Sequence, residues 1–251
     1  MTQTHPHDFD FLGVAFDALT LDQALAAISA RASRGEDFAY VATPNVDHVV
    51  ALAREPARAA LYQSAWLNIN DSRVLELLAR FAARHLPAAC GSDIVARLFE
   101  EEISPHEPVT IVGGEPEMIA ALEDKFGLTN IRWHDAPMGL KHSPEAVADA
   151  AAFVAAQPSR YVFFCVGAPQ QEMIAWAVQM RGDAKGVGLC IGAGLNFLTG
   201  HAKRAPKWMR TTRLEWLHRL ASEPGRLARR YLVEGPKVFA LWRAWMAAQR
   251  A

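Results

Sequence analysis

No apolar run in this chain approaches the roughly 18 to 20 residues needed to span a bilayer, and the opening "MTQTHPHDFD" lacks the basic and apolar regions of a secretion signal. A cytoplasmic protein is therefore expected. Cysteine is scarce: Cys90, Cys165 and Cys190 form no CxxC, and two of them sit inside apolar runs. Buried thiols are expected rather than a disulfide or a metal site. The motifs GxxxxGK[ST], HExxH and GxSxG are all absent, which removes the common nucleotidase, metalloprotease and hydrolase readings. "GVGLCIG" resembles a dinucleotide fingerprint, but Ile191 stands where a GxGxxG counted from Gly186 requires glycine. The nine histidines are scattered without ligand spacing. "DFD" (Asp8 to Asp10) has the DxD form of a cation-held nucleotide site, but its place near a polar terminus predicts a solvated tail and no metal.

What the chain does contain is a regular alternation. "FAYVAT" (38–43), "AWLNI" (65–69), "VTIVGG" (109–114), "YVFFCVG" (161–167) and "GVGLCIGAG" (186–194) are short, β-rich runs. Between them lie stretches of helical period such as "DSRVLELLARFAAR", "PEMIAALEDKF" and "PQQEMIAWAVQMR". Ser92, Pro116 and Ser143 read as helix starts. The pattern predicts an α/β fold, a Rossmann-like parallel sheet flanked by helices. Ligands in that architecture bind beyond the carboxyl ends of the strands, so the segments to watch are "TPN", "NDS", "GGEP", "GAPQQE" and "GAGLNFLTG".

Charge divides the chain near residue 200. Residues 201–251 hold 12 Lys and Arg against 3 Asp and Glu, a net +9, so the remaining 200 residues carry −10 of the overall −1. Four of the seven tryptophans, Trp208, Trp216, Trp242 and Trp245, share this tail. The expected organisation is a catalytic domain over 1–200 and a basic, Trp-rich helical appendage over 201–251. Cations beside tryptophans suit a surface that meets phosphates on one side and apolar material on the other; a solvated helix pair packed on the core is the plainer alternative.

Three constellations carry candidate chemistry. Thr43 and Asn45 sit at the end of a strand, either facing the crevice or capping a helix. Asp71 follows a strand and opens a helix, so it is either an N-cap or a carboxylate presented as a general base. Pro169 suits a first helical turn. Beside it Gln170, Gln171 and Glu172 are expected to project near a phosphate-attracting helix N-terminus, their amides and carboxylate suited to sugar hydroxyls.

In order along the chain, "TPN", the Asp71 segment, "GSDIV", "GAPQQE", "GAGLNFLTGHAKRAPKW" and "RLEWLHRLASEPGRLARRY" resemble the WecG/TagA/CpsF family of bacterial glycosyltransferases, over about residues 11–235. The resemblance implies an inverting, metal-independent transfer of a sugar from a UDP-sugar to a polyprenyl-diphosphate-linked saccharide. It places the enzyme at the inner face of the cell membrane, with the GT-E type glycosyltransferase fold, no cofactor and no nucleic-acid partner. It makes Asp71 the catalytic base and gives Thr43, Asn45, Gly114, Gln171, Glu172 and Arg204 to the substrates. Arg219, Arg226, Arg229 and Arg230 would neutralise a diphosphate and hold the protein to an anionic leaflet. Two departures stand out: Ser72 where the family has glycine after the aspartate, and Ala88 where it often has arginine three positions before Gly91. A nucleotide-cofactor oxidoreductase and a non-catalytic membrane adaptor are the rival classes.

Overall fold

The structure is a computed structural model describing residues 7–137, 139–201, 209, 217, 220, 221 and 224–250. The chain opens with an antiparallel hairpin, β1 (Phe9–Phe11) and β2 (Val14–Phe16), pairing Phe9 with Phe16 and Phe11 with Val14. This corrects the expected solvated tail. Phe11, Val14 and Phe16 are fully buried, and the outward carboxylates fix backbone: Asp8 accepts from the Ala18 N–H at 2.8 Å and Asp10 from the Gly13 N–H at 3.2 Å. The alternation of aspartate with phenylalanine is a strand's two faces, which a polar flank disguises. Asp17, buried just beyond the hairpin, accepts from the Asn68 N–H at 2.6 Å and joins the hairpin to the main sheet.

The main sheet follows. Helix α1 (Leu21–Arg34) starts in a capping box between Thr20 and Gln23. Then come β3 (Ala39–Ala42), α2 (Val46–Arg54), α3 (Ala59–Gln63), β4 (Leu67–Asn68), α4 (Arg73–Phe81) and α5 (Gly91–Arg97). The remainder of the sheet is β5 (Val109–Val112), α6 (Pro116–Phe126), β6 (Ile131–His134), α7 (Pro144–Ala155), β7 (Tyr161–Phe164), α8 (Gln170–Arg181) and β8 (Val187–Cys190). After α9 (Gly194–Leu198), the described part of the tail contains α10 (Pro224–Ala228), a π turn over Arg229–Glu234 and α11 (Lys237–Ala248). All five apolar runs became strands. The sixth, "IRWH" of β6, lies at a sheet edge with every residue half-buried, so it lacks the apolar run that marked the others.

The six strands are all parallel, in the order β4-β3-β8-β7-β5-β6. Successive residues of the central strands face two separate cores. Tyr40, Val162, Phe164 and Cys190 pack beneath α2, α3, α4, α7 and α8; Val41, Ile111, Phe163 and Leu189 pack beneath α1, α5, α6 and α9. The connection leaving β5 runs outward to β6, whereas the one leaving β7 runs back to β8, and their helices α6 and α8 cover opposite faces. The loops beyond the strands part there, which is where an open parallel sheet offers a crevice. Pro116 and Ser143 start helices as expected, with Ser143 Oγ accepting from the Ala146 N–H at 3.2 Å; α5 instead begins at Gly91 with Cys90 as its cap, two residues ahead of Ser92. The three cysteines are free thiols.

The tail's last helix belongs to the core. Trp245 meets Phe11 edge-on with ring centroids 5.1 Å apart, and the Trp242 indole N–H donates to the Leu78 carbonyl at 3.1 Å. These two tryptophans therefore pack against the protein rather than resting at an interface. Trp208 and Trp216 lie outside the described residues, as do Arg204 and Arg219. Among the described residues no helix is long and apolar enough to cross a membrane.

Candidate active site

Four loops beyond the strand ends are stitched together by hydrogen bonds. The Thr43 hydroxyl, at the end of β3, donates to the Cys190 carbonyl at the end of β8, 2.9 Å away. The Asp71 N–H donates to the Pro44 carbonyl at 3.0 Å, which ties the loop after β4 to the loop after β3. From the far side, Gln171 Oε1 accepts from the Gly192 N–H at 2.8 Å, tying the start of α8 to the loop after β8. Residues 147 positions apart in sequence thus share one rim. Gly91 closes it from below: a Cβ there would stand 3.2 Å from Thr43 Oγ1, so a larger residue would push against a side chain already held in place.

Helix α4 is capped by Ser72, whose Oγ accepts from the Leu75 N–H at 3.2 Å. Asp71 precedes the cap, half-buried at the crevice. Fully buried Asn70 shapes this turn, accepting from the Ser72 N–H at 2.9 Å and donating to the carbonyls of Leu86 and Pro87. Ser72 has φ −151°, extended backbone open to any residue, so the serine in place of glycine leaves the turn unstrained while supplying the cap. Ala88, the other departure, donates its N–H to Glu76 Oε1 at 3.3 Å.

Asn45 is itself an N-cap. Its Oδ1 accepts from the Asp47 N–H at 3.0 Å, and its own N–H lies 3.2 Å from His48 Nδ1 in a reciprocal capping box. Gly114 turns the chain after β5 at φ +88°, a left-handed backbone that strains any residue with a Cβ and that glycine adopts freely. Helix α8 starts one residue after Pro169, which follows a cis peptide bond.

Glu172 is placed otherwise than expected. Its side chain is fully buried under the rim, and Gln171 is nearly so, instead of both projecting toward a ligand. The amide of Gln171 donates to Glu172 Oε1 at 2.8 Å. Burial raises the Glu172 carboxyl to about 7. Beside it, His48 is half-buried with its Nε2 fully enclosed, and burial lowers its imidazole to about 4. Sequence reasoning passed over His48, because a single histidine on an apolar helix gives no signal until the fold sets a carboxylate opposite it.

The tail reaches this rim through ion pairs. Arg230 pairs with Asp47, in the first turn of α2, and Arg54 at the other end of α2 pairs with Glu234. Arg229 is largely exposed and lies 3.6 Å from Glu234. Arg226 belongs to α10. The structure therefore brings Thr43, Asn45, Asp71 and Gln171 to one rim, with Arg230 beside it. Gly114 belongs to a neighbouring loop, after β5. Among the described residues no three His, Cys, Asp or Glu side chains converge as a metal-ligand set.

A six-stranded, wholly parallel sheet with helices on both faces and polar loops gathered beyond its carboxyl edge defines a Rossmann-like α/β protein. Residues 9–251 match the model of the glycosyl transferase WecG/TagA/CpsF family. The chain belongs to that family, and its chemistry is glycosyl transfer, which sets aside the oxidoreductase and adaptor readings.

Proposed function

We propose that the protein is an inverting hexosyltransferase that needs no metal or cofactor. It moves a sugar such as N-acetylmannosamine, its uronic acid or glucuronic acid from a UDP-sugar to a polyprenyl-diphosphate-linked saccharide, in the synthesis of a bacterial surface or exported polysaccharide. Residues 1–200 form the catalytic domain; residues 201–251 form a basic appendage that docks peripherally on the inner face of the cell membrane. The observation that carries this reading is the relief of Asp71 from capping by Ser72, at the rim where the loops after β3, β4 and β8 meet.

Asp71 takes the proton from the acceptor hydroxyl as its oxygen attacks the anomeric carbon. The bond from that carbon to the UDP oxygen breaks in the same displacement, which inverts the centre. Positive charge then offsets the negative charge growing on UDP: the guanidinium forks of Arg204, Arg219, Arg226, Arg229 and Arg230 pair two-pronged with phosphate oxygens, and the N-terminus of α8 adds its dipole. Thr43, Asn45, Gly114 and Gln171 shape the sugar and nucleotide side of the crevice. Glu172 supports Gln171 from beneath.

The direct test is UDP release from a panel of UDP-sugars, with and without a short-chain polyprenyl-diphosphate-linked saccharide mixture and anionic vesicles. Acceptor-dependent release with one sugar is expected, and silence across the panel in folded protein would overturn the reading. General-base assistance is worth about 10² to 10⁴ in rate, so Asp71→Asn should lose that much in kcat while keeping the wild-type fold by circular dichroism.

A further inference from the structure

Behind the rim, two ionisable side chains that neither give nor take a proton in the transfer face each other. His48 Nε2, from α2, lies 3.8 Å from Glu172 Oε1, from α8. His48 Nε2 and Glu172 Oε2 are both buried without a hydrogen-bond partner among the described residues. Each belongs to a chain of contacts that ends at the crevice. On the α8 side, Glu172 Oε1 accepts from the Gln171 amide, whose oxygen accepts from the Gly192 N–H. On the α2 side, His48 Nδ1 stands 3.2 Å from the Asn45 N–H and 2.9 Å from Asn45 Oδ1.

Both imidazole tautomers have a role in this setting. With the proton on Nε2, His48 presents a donor to the Glu172 carboxylate and accepts the Asn45 N–H at Nδ1. With the proton on Nδ1, it donates to Asn45 Oδ1, and Nε2 becomes an acceptor for a protonated Glu172. We propose that Glu172 is a positioning residue: with His48 it forms a buried bridge between the two crevice loops, and its proton selects the His48 tautomer and hence the way Asn45 is held. The bridge closes fully when the two groups approach by about 1 Å, to ordinary hydrogen-bond length.

The other groups around the carboxylate leave it the one that titrates near neutrality. Tyr40 of β3, Tyr62 of α3 and Cys190 of β8 are all pushed up by burial and stay neutral there. The Tyr40 hydroxyl already donates to the Leu61 carbonyl, and the Tyr62 ring stands edge-on to His48. Gln171 carries no charge, and Arg58 is the cation whose field reaches Glu172, favouring its ionised form. The carboxyl itself, raised to about 7, changes state in the range where His48 is neutral.

Nitrogen-15 spectra of the imidazole rings report the tautomer directly, with no ligand. In the wild-type chain the His48 signals should pass from the Nδ1–H to the Nε2–H form between about pH 6 and about pH 8. Glu172→Gln should abolish that change, and Glu172→Asp, a shorter carboxylate, should retain it. A single unchanging tautomer across the range in the wild type would overturn the proposal, and that measurement needs no variant to fold. UDP is the probe for the consequence at the crevice, an arm that rests on the transferase reading. With Asn45 Oδ1 held by two donors at the lower pH, UDP should bind the wild type about fivefold more tightly there than at the higher, beyond any change seen in Glu172→Gln. An equal change in wild type and variant would refute the coupling. Failure of UDP to bind the wild type at all would count against the transferase reading and leave the tautomer to decide the bridge.

Discussion

At the scale of single residues, the site is organised by which side chain takes each backbone hydrogen bond. Ser72 takes the cap of α4, Asn45 that of α2, and Asn70 the turn between. Ser72→Ala should therefore lower stability by about 1 kcal/mol in urea unfolding, the usual loss for a missing cap. The buried pair makes a second prediction, with opposite slopes. Glu172 binds its proton more tightly in the folded chain, at about 7 against 4.5 unfolded, so its stabilising share is complete below about pH 4.5 and is lost as pH rises through about 7. His48 goes the other way: folded at about 4 against 6.5 unfolded, its share is present above about pH 6.5 and is lost as pH falls toward 4. The two oppose each other through mildly acid pH, and only Glu172 acts above it. Unfolding at a series of pH values should show Glu172→Gln gaining on the wild type by up to about 3 kcal/mol between about pH 5 and about pH 8; parallel curves would contradict that.

At the scale of elements, α2 is the piece on which the molecule turns. Its first residues form the crevice rim, its buried face meets both Tyr62 and Glu172, and its two ends hold the tail through Arg230–Asp47 and Arg54–Glu234. Ion pairs reached by solvent are worth little by themselves, and these two are only half-buried, so the tail's attachment rests on α11, where Val238 is buried and Trp242 and Trp245 pack on the core. Trp245→Ala removes the edge contact with Phe11 as well as half-buried apolar area. It should cost about 2 kcal/mol and open the segment after residue 200 to proteolysis before the sheet unfolds, which time-resolved digestion would show. The strands tell how far local pattern goes. Those buried on both faces were legible as apolar runs, whereas β1 and β6, half exposed, carried Asp, Arg and His at every second place and did not stand out.

At the scale of the whole molecule, an acidic body bears a cationic tail, and Arg230 of that tail pairs with Asp47 in the first turn of α2, beside the crevice. A lipid-linked substrate would meet both at once. Each cation near an anionic surface is worth on the order of 1 kcal/mol and is screened within about 10 Å at ordinary salt. Co-sedimentation with anionic vesicles should accordingly be strong at low ionic strength and fall steeply as salt is raised, while zwitterionic vesicles leave the protein in the supernatant. Binding that ignores both salt and lipid charge would contradict electrostatic docking.

The sequence by itself determined the layered α/β architecture, because strands buried on two faces need unbroken apolar runs and covering helices need a 3.6-residue period. It also determined the candidate aspartate, since a carboxylate following a buried strand is visible as such. Only the tertiary structure decided that Ser72 rather than Asp71 caps α4, that Glu172 lies beneath the rim instead of on it, and that His48 stands opposite. The cap is a local choice between two adjacent side chains that the sequence leaves open, whereas the other two outcomes depend on groups more than 100 residues apart being brought within a few ångströms by β3 and β8 lying side by side. Strand order is a matter of how helices fill two faces of a sheet, and no short stretch of chain encodes it.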